Sequence, residues 1–141
     1  MPKRSANAEW KGGLKGGNGT MNVTRANFEM PYTFPSRFEE GQGMSPEDLI
    51  AAAHAACFSM AFAGGLEKAG FVPESVRTTA TATVEPIDGA PTIHRIDLET
   101  VARVPKISEE EFQKQAEQAR ANCPVSRLYK GAEIRLNAKL A

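Results

Sequence analysis

Reactive side chains are scarce in this chain. It holds only two cysteines, Cys57 and Cys123, and only two histidines, His54 and His94. That is too few for a scaffold stapled by disulfides. A chain of 141 residues does not need one, since it buries about two-thirds of its unfolded surface on folding. The cysteines lie 66 positions apart, so the CxxC spacing of thioredoxin-like redox motifs is absent. Neither charge is in excess, with 17 basic residues against 17 acidic ones. A balanced chain lacks the basic stripe that neutralises nucleic-acid phosphates. No basic amphipathic helix points to a membrane surface. The opening MPKRSANAEW carries no apolar run, which predicts no secretory signal and a cytoplasmic protein whose thiols rest reduced. The most apolar stretch, Leu49 to Leu66, is rich in Ala and Gly and includes His54. It reads as a buried core helix rather than a membrane span. No repeat, linker or low-complexity segment appears, so one domain over residues 1–141 is expected.

What is present reads as α+β. Extended segments at Ala8–Leu14 and Thr20–Thr24 flank the glycine-rich GGLKGGNG, a hairpin signal. A third piece near Phe28–Phe34 is interrupted by Pro31 and Pro35. SRFEEGQG, residues 36–43, reads as a loop. Ser45 fits a helix N-cap and Pro46 the first helical position, and Glu47 and Asp48 suit the positive end of the macrodipole. The helix is expected to last to Ala69, with Gly70 as its left-handed stop. Its faces differ. Phe58, Phe62 and Leu66 make a bulky line; two small-residue lines run through Ala52, Ala56 and Ser59, and through Ala53, Cys57, Ala61 and Gly64. Small lines let a second helix approach closely, which favours a two-fold dimer through this helix. Strands follow at about Ser75–Pro86 and Thr92–Val104. A helix capped by Ser108 ends near Asn122, a short helix starts after Cys123 at Pro124, and a last strand, AEIRLNAKL, closes the chain.

The residues alone leave Cys57 open. A free cysteine in an apolar run is most often a small hydrophobe in the core. As a nucleophile it needs a nearby cation, and His54 on the same face or Arg37 are the candidates. Cys123 stands at a helix N-cap, where unpaired N–H groups favour a thiolate. A zinc site of His54, Cys57, His94 and Cys123 has acceptable ligand types but the wrong spacing, since only one pair is close in sequence. A cysteine hydrolase would need an oriented histidine base, and no local signature marks one. Glu47 is explained by the macrodipole alone. His54 reads as a neutral core histidine, His94 as surface, and Trp10, Phe112 and Tyr129 as packing.

Three segments in order, PYTFPSRFE, PEDLIAAAHAACFSMAF and CPVS, resemble the OsmC/Ohr family of hydroperoxide reductases, and the OsmC branch in particular. The resemblance covers nearly the whole chain. It implies an OsmC-like α+β fold, with antiparallel sheets wrapped around central helices in an intertwined homodimer. It also implies a cysteine-based peroxidase that needs no cofactor or metal. Cys57 falls on the family's peroxidatic cysteine and Cys123 on its resolving one. Arg37 and Glu47 fall on its activating arginine and that arginine's carboxylate partner. The implied cycle turns Cys57 thiolate and a hydroperoxide into an alcohol and a sulfenic acid. Cys123 then condenses with it, and an external dithiol reduces the resulting disulfide. Phe34, Phe38 and Phe58 are expected to line an apolar pocket for the alkyl group. The rival is a non-enzymatic binder of apolar ligands, or a redox sensor, on the same fold. Glu47 and Cys57 are ten residues apart on one predicted helix, ~15 Å along its axis and about 80° apart in direction. An Arg37–Glu47 pair is therefore expected to reach Cys57 only from a second chain.

Overall fold

A computed structural model describes residues 2–141. The chain forms two compact units, the first ending at Leu49 and the second spanning Ile50–Ala141. In the first, β1 (Asn7–Lys11), β2 (Asn18–Val23) and β3 (Phe28–Tyr32) make an antiparallel sheet in sequence order. The β1–β2 loop turns tightly at Gly17, whose N–H donates to the Gly13 carbonyl at 2.8 Å. A side chain there would collide with the Lys11 and Gly13 carbonyls.

The expected loop at 36–43 is in part a helix. A short helix, α1, runs Phe34–Phe38. Thr33 and Ser36 cap it reciprocally, each side-chain oxygen accepting from the other's backbone N–H at 3.3 and 2.9 Å. Pro35, read as a strand breaker, sits in the first turn, where a missing N–H costs nothing. The long helix α2 (Pro46–Lys68) starts as expected. Ser45 Oγ accepts from the Asp48 N–H, and the Asp48 carboxylate accepts from the Ser45 N–H at 2.8 Å. Beyond the end of α2, Gly70 has a φ of +93°.

The second unit contains α2 from Ile50 onward, β4 (Ser75–Ile87), β5 (Ala90–Arg103), α3 (Glu109–Asn122), α4 (Pro124–Leu128) and β6 (Glu133–Leu140). β4 and β5 form a long hairpin closed at Asp88-Gly89, both with positive φ, as a two-residue turn requires. The expectation of purely antiparallel sheets is corrected here: β6 pairs with β5 in parallel, from Arg95–Glu133 to Ala102–Leu140. The reason is the crossover. α3 and α4 carry the chain back before β6 begins, and a returning chain enters parallel. β5 is thus the central strand.

The core of this unit gathers Phe58, Phe62 and Leu66 of α2, Ile96 and Leu98 of β5, and Phe112 and Ala116 of α3. Phe62 stacks against Phe58 and Phe112 at ring distances of 5.7 and 5.3 Å. A string of hydroxyls ties helix to sheet: Ser59 donates to Thr78 at 2.8 Å, Thr78 meets Thr100 at 2.9 Å, and Thr100 donates to the Arg77 carbonyl. α2 is not buried all round, contrary to expectation. Only His54, Phe58, Phe62 and Leu66 are buried, while Ala52, Ala53, Ala56 and Met60 are exposed. By length and composition α2 is the one helix among the described residues apolar enough to cross a membrane. Its bulky face is instead built into a protein core.

Replacing Phe62 by Ala removes a fully buried ring and is expected to lower the unfolding free energy by about 3–5 kcal/mol. Urea denaturation checks it; a loss under about 1 kcal/mol would mean that the rings are not close-packed.

Candidate active site

In the first unit, the α1 cap fixes the approach of Arg37, which stands in the last turn of that helix. Glu47 is the second residue of α2. Their side chains meet: Arg37 Nη2 donates to Glu47 Oε1 at 2.6 Å and Nε faces Oε2 at 3.4 Å. The guanidinium also lies over the Phe38 ring, 4.9 Å from its centre. A planar cation held by a two-toothed carboxylate and an aromatic face is fixed in orientation. Nη1 takes no part in the pair. Burial alone would raise the Glu47 carboxyl. Hydrogen bonds from Arg37, its own backbone and Ser45, with the charge of Arg37, outweigh that and hold it below its ordinary value of 4.5.

Beside Arg37 lies a pocket of about 220 Å³ lined by Trp10, Leu14, Tyr32, Phe34 and Phe38. Two of the three expected pocket phenylalanines are there. The third, Phe58, is fully buried in the core of the second unit and is corrected to a packing residue. Trp10, read as packing, lines the pocket with Tyr32, their rings 5.4 Å apart. Trp10 on β1 and Tyr32 on β3 flank Gly19 of the intervening β2, each paired with it in the register. Only strand pairing could have shown that.

In the second unit, Cys57 is half-buried on α2 and Cys123 is buried; both are free thiols. Cys123 is the N-cap of α4, and its sulfur accepts from the Ser126 N–H at 3.3 Å. The Cys123 side chain adjoins Cys57 closely enough to affect its ionisation. Burial pushes the Cys57 thiol above its ordinary value, and the adjoining Cys123 side chain adds to this; a backbone hydrogen bond from Val125 opposes it. None of these influences within the second unit is a cation. His54 is fully buried, and burial lowers its pKa. Its Nε2 lies 2.7 Å from Ser126 Oγ, and its ring packs edge-on against Tyr129 at 5.5 Å. Ser126 is a partner 72 positions away that sequence spacing gave no reason to pair with it. His94 lies apart, 3.5 Å from Glu85. Among the described residues no three metal-ligating side chains gather at one point.

The fold and this arrangement define an α+β protein with two reduced cysteines brought together from a long central helix and a short helix start. The comparisons agree. The family model described as OsmC-like protein matches residues 39–138, which include Glu47, Cys57 and Cys123. The chain is 41% identical over 138 residues to Peroxiredoxin OsmC of Escherichia coli (strain K12), covering 97% of this chain and 96% of that protein. Its fold matches the OsmC-like protein of Mycoplasma pneumoniae with a TM-score of 0.75 at 18% identity, covering 99% of this chain and 98% of that one. It matches the organic hydroperoxide resistance protein OhrB of Bacillus subtilis with a TM-score of 0.69 at 21% identity, covering 97% and 98%. This chain belongs to the OsmC/Ohr family, on its OsmC branch, and has the OsmC-like fold.

Because the Glu47 carboxyl is depressed in the folded state, the stability it contributes is present above its unfolded value and fades as pH falls through the lower folded value. Glu47→Gln should therefore cost stability at neutral pH, at most about 1 kcal/mol for a partly screened pair. Its deficit against wild type should shrink on acidification through the carboxylate range. Urea midpoints across pH test this; a deficit independent of pH would show that the Arg37–Glu47 pair contributes nothing.

Proposed function

We propose that the chain is a thiol peroxidase that reduces organic hydroperoxides, with hydrogen peroxide as a further substrate, and works as a homodimer with shared sites. The enzyme class rests on the near-full-length match to a relative named Peroxiredoxin OsmC. The observation that carries the residue assignment is the meeting of Cys57 and Cys123, both free, across the start of α4. A pure binder of apolar ligands needs no such pair.

Residues 1–141 act as one domain in this reading. Cys57 is the attacking thiolate and Arg37 supplies the missing cation. α2 is continuous over Glu47 and Cys57, which ten helical residues separate by ~15 Å. The Arg37–Glu47 pair beside Cys57 therefore comes from the second chain. The exposed line of Ala52, Ala53, Ala56 and Met60 is the surface on which the two long helices meet. Arg37 lowers the Cys57 thiol that burial has raised, and it hydrogen-bonds the peroxide oxygens. The thiolate takes the outer oxygen of ROOH, the O–O bond breaks, and ROH leaves as Cys57 becomes a sulfenic acid. The pocket of Trp10, Tyr32, Phe34 and Phe38 beside Arg37 receives the alkyl group. Cys123 then displaces water to form the disulfide, which an external dithiol reduces. In the reducing cytoplasm the resting protein keeps both thiols.

Reduced protein mixed with cumene hydroperoxide and dithiothreitol should consume peroxide. Cys57→Ser should lower the rate at least about a thousandfold, as loss of a covalent nucleophile does. Undiminished turnover in that variant, or none in wild type, would leave the binder or sensor. Arg37→Lys keeps the charge but loses the fork, and kcat/KM should fall about 10²-fold; an unchanged value would remove Arg37 from the site. Cys123→Ser should still oxidise once, at Cys57, yet form no internal disulfide by mass spectrometry. Persistent absence of that disulfide from oxidised wild type would remove Cys123 from the cycle.

A further inference from the structure

Two groups that the cycle above does not use stand in line with Cys123. Cys123 Sγ donates to Ser126 Oγ at 3.1 Å, and Ser126 Oγ lies 2.7 Å from His54 Nε2. All three residues are buried, His54 completely and Ser126 at 4% exposure. The thiol gives its hydrogen to the hydroxyl, which leaves the hydroxyl's own hydrogen free to go to an unprotonated Nε2. In that tautomer His54 carries its hydrogen on Nδ1, a nitrogen that is buried with no partner among the described residues. An aromatic core residue would fill this position without leaving a buried N–H unpaired. The imidazole is held there by one bond, to the hydroxyl that touches a cysteine.

We propose that Ser126 and His54 relay the proton away from Cys123 when its sulfur attacks the sulfenic acid on Cys57. This rests on the two-cysteine cycle proposed above. In the step the Cys123 S–H bond breaks and the S–S bond forms. The S–O bond of the sulfenic acid breaks, and its hydroxide leaves with a proton as water. Cys123 sulfur is oxidised and Cys57 sulfur reduced, with no net proton released. Ser126 takes the thiol proton as it passes its own to His54 Nε2, and the imidazolium later returns one to solvent. Ser126 touches the reacting sulfur. His54 acts only through Ser126 and sets the hydroxyl's direction as well as accepting its proton. The titratable groups near the imidazole among the described residues are Tyr129 at the C-cap of α4, Cys123 at its N-cap, and Cys57 three residues on along α2. Tyr129 is held up by burial and stays neutral. Burial also keeps His54 unprotonated at neutral pH, ready to accept.

The test is a single turnover of the full-length reduced protein with one equivalent of cumene hydroperoxide. Quenched samples are analysed by mass for Cys57 sulfenate and for the disulfide. In wild type, disulfide formation should speed up as pH rises through an inflection below the ordinary imidazole value of about 6.5, then level off. His54→Gln keeps a hydrogen bond to Ser126 but takes up no proton. It should still form sulfenate, make disulfide at least tenfold more slowly, and lose the inflection. Ser126→Ala should do the same, and Ser126→Thr, which restores the hydroxyl, should recover most of the rate. If sulfenate forms but the second step and its pH profile are unchanged in both His54→Gln and Ser126→Ala, the relay is wrong. A second step slowed in both with the inflection intact would also overturn it, since that marks a packing effect. No sulfenate on wild-type Cys57 would remove the peroxidase reading and the relay together.

Discussion

The proposed chemistry depends on whether one sulfur can be charged. In that reading the thiolate of Cys57 attacks the peroxide, yet the surroundings of the thiol within its own unit work against ionisation. Burial withdraws water, and the second cysteine lies against it. The only local help comes from the Val125 backbone at the start of α4. The same closeness that the proposed resolving step needs from Cys123 therefore raises the first thiol. In the proposed site a cation offsets this, and Arg37, held by Glu47 and Phe38 in a fixed plane, is the guanidinium assigned to it.

The two halves of the chemistry are prepared by different means. The arginine is preorganised by a short capped helix and a charge pair in the first unit. The cysteines are placed by packing in the second, where Phe58 and Phe62 anchor α2 and Cys123 caps α4. α2 links them in sequence but separates Glu47 from Cys57 by almost three helical turns. Its small-residue face is uncovered in the single chain. In the proposed dimer a second copy laid on that face would cover the exposed surface and supply the missing cation.

The sequence made much of this legible, and what it hid is physically consistent. Helix starts were readable because Ser45, Ser108 and Cys123 are local signals whose partners lie three residues on. The Phe58–Phe62–Leu66 face was readable because helical periodicity is local too. The short α1 was missed because Pro35 stops a strand and starts a helix equally well. The parallel placement of β6 depends on the path of α3 and α4, which no strand pattern encodes. Phe58 was assigned to the pocket by its nearness to Cys57 in sequence, yet it points into the core. Two contacts on which the proposals rest, Trp10 with Tyr32 and His54 with Ser126, join residues 22 and 72 positions apart. Only the folded chain brings them together.

The claim that Arg37 acts across the two-fold interface is tested most directly by mixing two crippled proteins. Arg37→Ala and Cys57→Ser variants are each expected to be nearly inactive alone. After dissociation and reassociation together, a mixed dimer has one site that combines an intact Cys57 with the partner subunit's Arg37. The account predicts that peroxide turnover returns in the mixture. Mixed dimers that form yet remain inactive would contradict it.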